Sequence, residues 1–165
     1  MRIKAFRAVS VILTLIWMCV IFSFSAQNSE KSSNTSAGVI EKVVSVVYPG
    51  FKDMTDTEKT VKVESLQFTA RKTAHFLIYT VLGVLSFLSV ISYRKLRFYI
   101  RPAISALICL LYASSDEVHQ LFVAGRSCEF RDVFIDFCGA LLGIAICTAI
   151  TRCTKIYHFL RAGSK

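Results

Sequence analysis

Carboxylates and histidines lie near the ends of the apolar segments, and residues of these types can transfer protons or bind a ligand. Asp116, Glu117 and His119 fall within four positions, and His75 lies at the start of another apolar segment. Imidazole titrates near neutral pH, and a neighbouring carboxylate can orient it as a general acid or base. We therefore identify His119, with Asp116 or Glu117 and with His75 as its partner, as a candidate catalytic group. The alternative interpretation is an ordinary hydrogen bond at a helix end.

Helical spacing puts further polar residues on common faces, because residues three or four positions apart lie on one side of a helix. The sets are Lys72, His75, Tyr79, Gly83 and Ser86; Asp132, Asp136, Gly139 and Gly143; and Tyr112, Asp116 and His119, with Glu117 and Gln120 beside them. Antiparallel packing brings these ends to one level, together with the polar end of the first apolar segment. We expect one pocket there, with ligand contacts from Ser25, Gln27, Lys72, Tyr79, Gln120, Asp132 and Asp136.

Three charged residues in this region allow more than one interpretation. Asp136 lies inside an apolar segment, where a carboxylate is costly unless it faces the interior and has a partner. Arg131, Arg126, Lys72 or either histidine can pair with it, either for function or as an ion pair that ties helices together. Arg126 and Arg131 can also form a fork for a phosphate or carboxylate, or bind lipid headgroups. No metal-ligand spacing such as HExxH is present, so neither a metal nor another cofactor is predicted.

Four long apolar segments must position these residues. They cover approximately 6–24, 74–93, 98–115 and 133–150, and about 20 apolar residues let a helix cross a membrane. With 54% hydrophobic residues, the chain does not fit a soluble enzyme. We predict an all-α integral membrane protein with a single domain over 1–165, a bundle of four transmembrane helices. A long helical loop over 26–73 and a turn over 116–132 lie on its outer side. A signal peptide is the competing interpretation of the first segment, but its length and the three later segments favour a membrane helix.

The distribution of charge predicts how the chain is oriented. Eleven of the 20 basic residues lie at the N-terminus, between the second and third segments and in the C-terminal tail, and none of these stretches contains Asp or Glu. Basic residues accumulate on the cytoplasmic side of a membrane. We therefore predict cytoplasmic termini and an outward-facing polar pocket. The net charge of +9 is spread over three stretches rather than one face, which argues against nucleic-acid binding.

The predicted outer loop contains two helix signals. Valines and one isoleucine recur near helical spacing over 39–47 until Pro49-Gly50, which favours an amphipathic helix at the outer interface. A buried strand is the alternative, because the run is rich in valine. Thr55 and Glu58 have the spacing of a capping box and predict a second, short helix.

Several motifs together resemble the VanZ-like family of bacterial integral membrane proteins. They are Phe24-Ser25-Ala26-Gln27 with Ser29 and Ser32; Arg71-Lys72-Thr73-Ala74-His75-Phe76 with Tyr79; and Ser115-Asp116-Glu117-Val118-His119-Gln120-Leu121-Phe122, continuing through Gly125-Arg126 to Asp132, Gly139 and Gly143. The resemblance implies a four-span protein of the bacterial cell membrane, in a family named for a member associated with resistance to the glycopeptide teicoplanin. It implies no settled reaction. The family pattern usually has Asn where this chain has Asp136, and its paired serine is interrupted here as Ser23-Phe24-Ser25.

Three functions are consistent with these residues. The first is binding or modulation of an outer-leaflet amphiphile, either a lipid-linked cell-wall precursor or a lipoglycopeptide antibiotic. The second is a membrane-embedded enzyme that uses His119, with Arg126 and Arg131 holding an anionic lipid-linked substrate. The third is a proton-coupled transporter that uses Asp136. Membrane lipids are expected partners, and the GxxxG spacing of Gly139 and Gly143 is typical of a contact through which two copies can pack.

Overall fold

The computed structural model describes residues 2–27, 29–51, 53–93, 95–124 and 129–153, which are helical apart from short turns. The helices are α1 (Arg2–Ser25), α2 (Ser29–Val47), α3 (Asp56–Ile91), α4 (Ile100–Gln120) and α5 (Phe130–Cys153), with a 3-10 turn at Pro49–Phe51. No strand occurs within these ranges. The all-α prediction is therefore confirmed, and the interpretation of the valine-rich run as a strand is wrong.

Three of the helices are long and apolar enough to cross a membrane: Ile3–Ser25, Asp56–Ile91 and Phe130–Cys153. They contain the first and fourth of the predicted spans, and the second as far as Ile91. The third predicted span lies in α4, which has the length of a membrane helix but carries Arg101 near its start and Asp116 and Glu117 near its end. With these charges, α4 is not among the described helices that are both long and apolar enough to cross a membrane.

The helix α3 is continuous over 36 residues, or about 54 Å at 1.5 Å per residue. Thr55 caps it, since its hydroxyl accepts from the backbone N–H of Glu58 while the Glu58 carboxylate accepts from the backbone N–H of Thr55. The capping box is thus confirmed, but the prediction of a short helix is wrong. Neither Gly nor Pro occurs between Asp56 and Leu82, so nothing in the sequence interrupts the helix before it enters the apolar segment.

The helix α2 packs beside the first part of α3, and together they form a helical hairpin. Ile40 and Val44 are buried against Phe51 and Val63, and their spacing of four places them on one face of α2. Val39, Val43, Val46 and Val47 are exposed. The helix predicted over this run is confirmed, and α3 covers only part of its apolar surface. Its position at a membrane interface stays a prediction.

The helices α3 and α5 pack most closely, at three glycines. A Cβ added to Gly83 would overlap the backbone of Ala140, one added to Gly139 would overlap that of Phe76, and one added to Gly143 would overlap the carbonyl of Thr80. Only glycine permits such an approach of two helix backbones. Gly139 and Gly143 are thus buried against α3 within one chain, and the association of two copies through them stays a prediction.

Side-chain hydrogen bonds fix α1 against its neighbours. The indole N–H of Trp17 donates to the carbonyl of Ile78 over 3.0 Å, and the Tyr112 hydroxyl donates to the carbonyl of Met18 over 2.6 Å. Each satisfies a polar group within an otherwise apolar contact. As a result the end of α1 lies level with the start of the apolar part of α3 and with the end of α4. We call this the acidic end of the bundle, and the opposite end, with Arg7, Arg101 and Arg152, the basic end.

Candidate functional site

Asp116 joins three helices at the acidic end. Its side chain is buried in α4, with 2% of the residue exposed. Oδ2 accepts from the hydroxyl of Ser25 on α1 over 2.7 Å and from the hydroxyl of Tyr79 on α3 over 3.3 Å. The amide nitrogen of Gln120 lies 3.5 Å from the same oxygen. Hydrogen bonds to a buried carboxylate are stronger than neutral ones, so Asp116 holds the ends of α1, α3 and α4 together.

Glu117 links α4 to the segment that leads into α5. Oε1 accepts from the Gln120 amide over 3.1 Å, and Oε2 accepts from the backbone N–H of Glu129 over 3.2 Å. Only 1% of Glu117 is exposed. Gln120 therefore lies between the two acids of its own helix and contacts both.

Two charge pairs connect α3 with α5. The Lys72 ammonium contacts Oδ1 of Asp132 directly. One turn further into the bundle, Nδ1 of His75 lies 3.6 Å from Oδ1 of Asp136, an ion pair when the imidazole is protonated. Asp136 is 1% exposed. The sequence predicted a partner for Asp136 among several cations and histidines, and in the structure this partner is His75.

His119 does not form the predicted pair with Asp116 or Glu117. Both carboxylates turn toward other donors, while the imidazole packs on Phe22 of α1 with ring centroids 4.2 Å apart. Nδ1 of His119 is buried and has no hydrogen-bond partner in the described part of the chain. The prediction of a carboxylate-oriented His119 is wrong, because α1 covers the side of α4 on which this imidazole lies. His75, its predicted partner, contacts Asp136 instead.

Three buried polar atoms have no hydrogen-bond partner among the described residues: Oδ1 of Asp116, Nδ1 of His119 and Oδ2 of Asp136. A buried polar group without a partner costs free energy, so few occur in folded proteins. Glu117 also lies within electrostatic range of Asp132, Asp136 and Asp116, so these carboxyl groups form one group. We call Asp116, Glu117, Asp132 and Asp136 the acidic cluster. Within the described ranges, no three His, Cys, Asp or Glu side chains are arranged to hold a metal ion.

The remaining predicted ligand contacts lie at the edge of the acidic cluster or cannot be assigned to it. Gln27 is partly exposed just after α1, and Arg131 is exposed in the first turn of α5. Arg126 lies outside the described residues, so the predicted arginine fork is not tested. Ser23 lies outside the cluster, since it is exposed and its hydroxyl donates to the Cys19 carbonyl of its own helix.

Two contacts of the acidic cluster were not found from the sequence. The backbone N–H of Glu129 binds Glu117, and any residue except proline can supply a backbone donor. Phe22 covers His119, but in the sequence it is one of several aromatic residues in an apolar run. Neither position carries a sequence signal.

The fold and the site define a class of protein: a bundle of helices, three of them apolar and of membrane length, with ionisable residues buried among them at one end. The chain belongs to the VanZ/LLP1 family, whose model matches residues 10–151. This match spans all the residues of the acidic cluster. Comparison with curated proteins gives no match, and comparison with solved structures gives none either.

Proposed function

We propose that this protein binds the polar head of an outer-leaflet amphiphile at the acidic cluster. The candidates are a lipid-linked cell-wall precursor and a lipoglycopeptide antibiotic, and resistance of the teicoplanin type follows from the family resemblance. The supporting observation is that Asp116 and Asp136 each keep one buried oxygen without a donor among the residues that the structure describes. A headgroup with hydroxyl or amine donors would satisfy these oxygens, and such groups occur on the sugar and peptide parts of both candidates.

The proposed topology has four spans, with α4 as the third. This helix packs inside the bundle, where Cys109 and Ala113 are fully buried, and it connects the basic end to the acidic end as the other three do. Basic residues favour the cytoplasmic side, so the basic end and both termini are placed in the cytoplasm. The acidic cluster then faces outside, and the hairpin of α2 and α3 projects from the same side of the cytoplasmic membrane.

The experiment is mass spectrometry of amphiphiles that copurify with the protein, followed by binding of a lipid-linked precursor and of a lipoglycopeptide. We expect Asp116→Asn to reduce the retained amphiphile about tenfold, because it removes the charge at the centre of the cluster. Glu64→Gln is the matched control, since it removes an exposed carboxylate of α3 away from the cluster. The proposal fails if no specific amphiphile is retained and if deletion and overexpression leave lipoglycopeptide tolerance unchanged.

A second candidate function is acyl or phosphoryl transfer on a lipid-linked substrate. The observation that favours it is the hydrogen bond from the Ser25 hydroxyl to the buried Asp116 carboxylate, since a hydroxyl nucleophile needs an adjacent base to accept its proton. This changes the proposed roles: Ser25 would attack, and Asp116 rather than His119 would be the base. Mass spectrometry of lipid extracts from cells with and without the protein would show consumption of a substrate. Full complementation of a deletion by Ser25→Ala, His75→Ala and His119→Gln variants would exclude it.

A further inference from the structure

Arg101, at the basic end, is a buried cation that has no carboxylate partner among the described residues. Only 4% of the residue is exposed, and its Nε donates to the Leu96 carbonyl over 3.1 Å. No carboxylate lies within 4.0 Å of it in the part of the chain that the structure describes. The stretches 2–10, 94–101 and 151–165 contain no Asp or Glu at all. A buried charge is costly unless it is paired. The side chains of these stretches supply no anion that could pair with the Arg101 guanidinium.

A second guanidinium lies on the same aromatic ring. The Cζ atom of Arg101 lies 5.9 Å from the centre of the Phe98 ring, and that of Arg152 lies 5.8 Å from it. Arg101 belongs to the start of α4 and Arg152 to the end of α5, so the fold brings together two cations that are distant in sequence. Like charges near one ring repel each other, and an anion bound between or beside them would offset this repulsion.

We propose that Arg101 and Arg152, with Phe98, bind the phosphodiester of an anionic phospholipid in the leaflet at the basic end. A guanidinium presents several N–H donors in a plane and binds phosphate oxygens in a forked geometry. The site lies at the ends of membrane-length helices, at the level where a bilayer places its phosphate groups. Phe98 supplies apolar surface beside the guanidinium groups for the first carbons of the lipid chains. This proposal does not depend on the acidic cluster at the opposite end.

The experiment titrates delipidated protein in detergent with phosphatidylglycerol and, separately, with phosphatidylcholine, and counts bound lipids by native mass spectrometry. We expect phosphatidylglycerol to bind about tenfold more tightly. Both lipids carry the phosphodiester, but the positive choline group of phosphatidylcholine is repelled by the two guanidinium groups. Arg152→Gln should remove most of this preference. Arg101→Lys, which keeps the charge but loses the forked geometry, should weaken it. Arg101 is buried, and its replacement can disturb folding. The decisive variant is therefore Arg152→Gln, because Arg152 is exposed.

The matched control is Arg97→Gln. Arg97 is exposed at the same end, and its guanidinium donates to the Tyr99 hydroxyl over 2.8 Å. The substitution Arg97→Gln therefore removes one positive charge from the basic end but outside the proposed lipid site. We expect less than about a twofold change for this variant. Three results would overturn the proposal: equal loss in Arg97→Gln and Arg152→Gln, no preference for phosphatidylglycerol, or equally tight binding of inorganic phosphate. Arg152→Gln should leave the binding of a lipoglycopeptide unchanged, which separates this test from that of the acidic cluster.

Discussion

The hydroxyl of Ser25 donates to Oδ2 of Asp116 over 2.7 Å, and this bond joins residues 91 positions apart in the chain. It connects the last residue of α1 to the end of α4. Ser25 is itself buried, with 1% exposed. The bond therefore lies at the centre of the candidate site and also contributes to the fold.

Ser25→Ala is expected to lower the free energy of unfolding by about 1–2 kcal/mol, because a buried charge loses one of its donors. Thermal unfolding in detergent measures the change. Ser23→Ala is the control, since the Ser23 hydroxyl is exposed and bonds within its own helix, and it should change stability by less than about 0.5 kcal/mol. Equal effects of the two substitutions would show that the contact with Asp116 does not stabilise the protein.

Gly139→Ala is expected to destabilise the protein by about 2 kcal/mol or more, because the added methyl group would overlap the backbone of Phe76. Gly38→Ala is the matched control. No atom lies within 4 Å of a Cβ at Gly38, so alanine should stabilise α2 by about 0.5–1 kcal/mol through helix propensity. Equal unfolding temperatures for these two variants would contradict the close packing of α3 and α5.

The contact between Lys72 and Asp132 is expected to show measurable coupling in a double-mutant cycle of Lys72→Met and Asp132→Asn. Both side chains are about one fifth exposed, so solvent screens the pair only in part, and we expect about 1 kcal/mol. Lys59 and Asp56 form the control pair, 4.0 Å apart, with the Asp56 side chain fully exposed. Their coupling should be close to zero. If the two cycles give the same value, the Lys72 pair is an ordinary surface contact.

Asp136→Asn is expected to keep most of the function and stability, because an amide oxygen can still accept from His75. Asp136→Leu should lose both, since it leaves His75 without this partner. Accumulation in the membrane and lipoglycopeptide tolerance are the measurements. Loss of accumulation or of tolerance in Asp136→Asn would instead indicate that the charge is required.

Glu58 makes the start of α3 dependent on pH. Hydrogen bonds from the backbone N–H and hydroxyl of Thr55 hold the pKa of this carboxyl below its ordinary value of 4.5. A pKa that is lower in the folded state stabilises the helix above the unfolded value, and this stabilisation is lost as the pH falls through the folded value. The protection factors of the amides in the first turn of α3, which are corrected for the intrinsic exchange rate at each pH, should therefore fall below about pH 4.5. In Glu58→Gln, which does not titrate, exchange protection should show no such pH dependence.

The sequence predicts the helices and their inward faces better than it predicts the contacts between them. Lys72, His75 and Tyr79 share a face because their spacing is helical, and each reaches an acid as that spacing suggests. The predicted pairing of His119 with Asp116 was wrong. Proximity along one helix does not determine which donor binds the Asp116 carboxylate when α1 and α3 also supply hydroxyl donors. Likewise, the capping box at Thr55 predicted the start of a helix but not its length, which depends on the absence of any interruption before the apolar segment.

The unbroken course of α3 has a mechanical consequence. The residues that pack against α2, such as Val63, and the residues that contact the acidic cluster, such as Lys72 and Tyr79, belong to one stiff rod. When a rigid helix tilts about a point in its middle, both of its ends move. A force on the hairpin would therefore displace Lys72 and Tyr79 relative to the acids that they contact, Asp132 and Asp116. The hairpin and the acidic cluster are therefore mechanically coupled through one continuous helix.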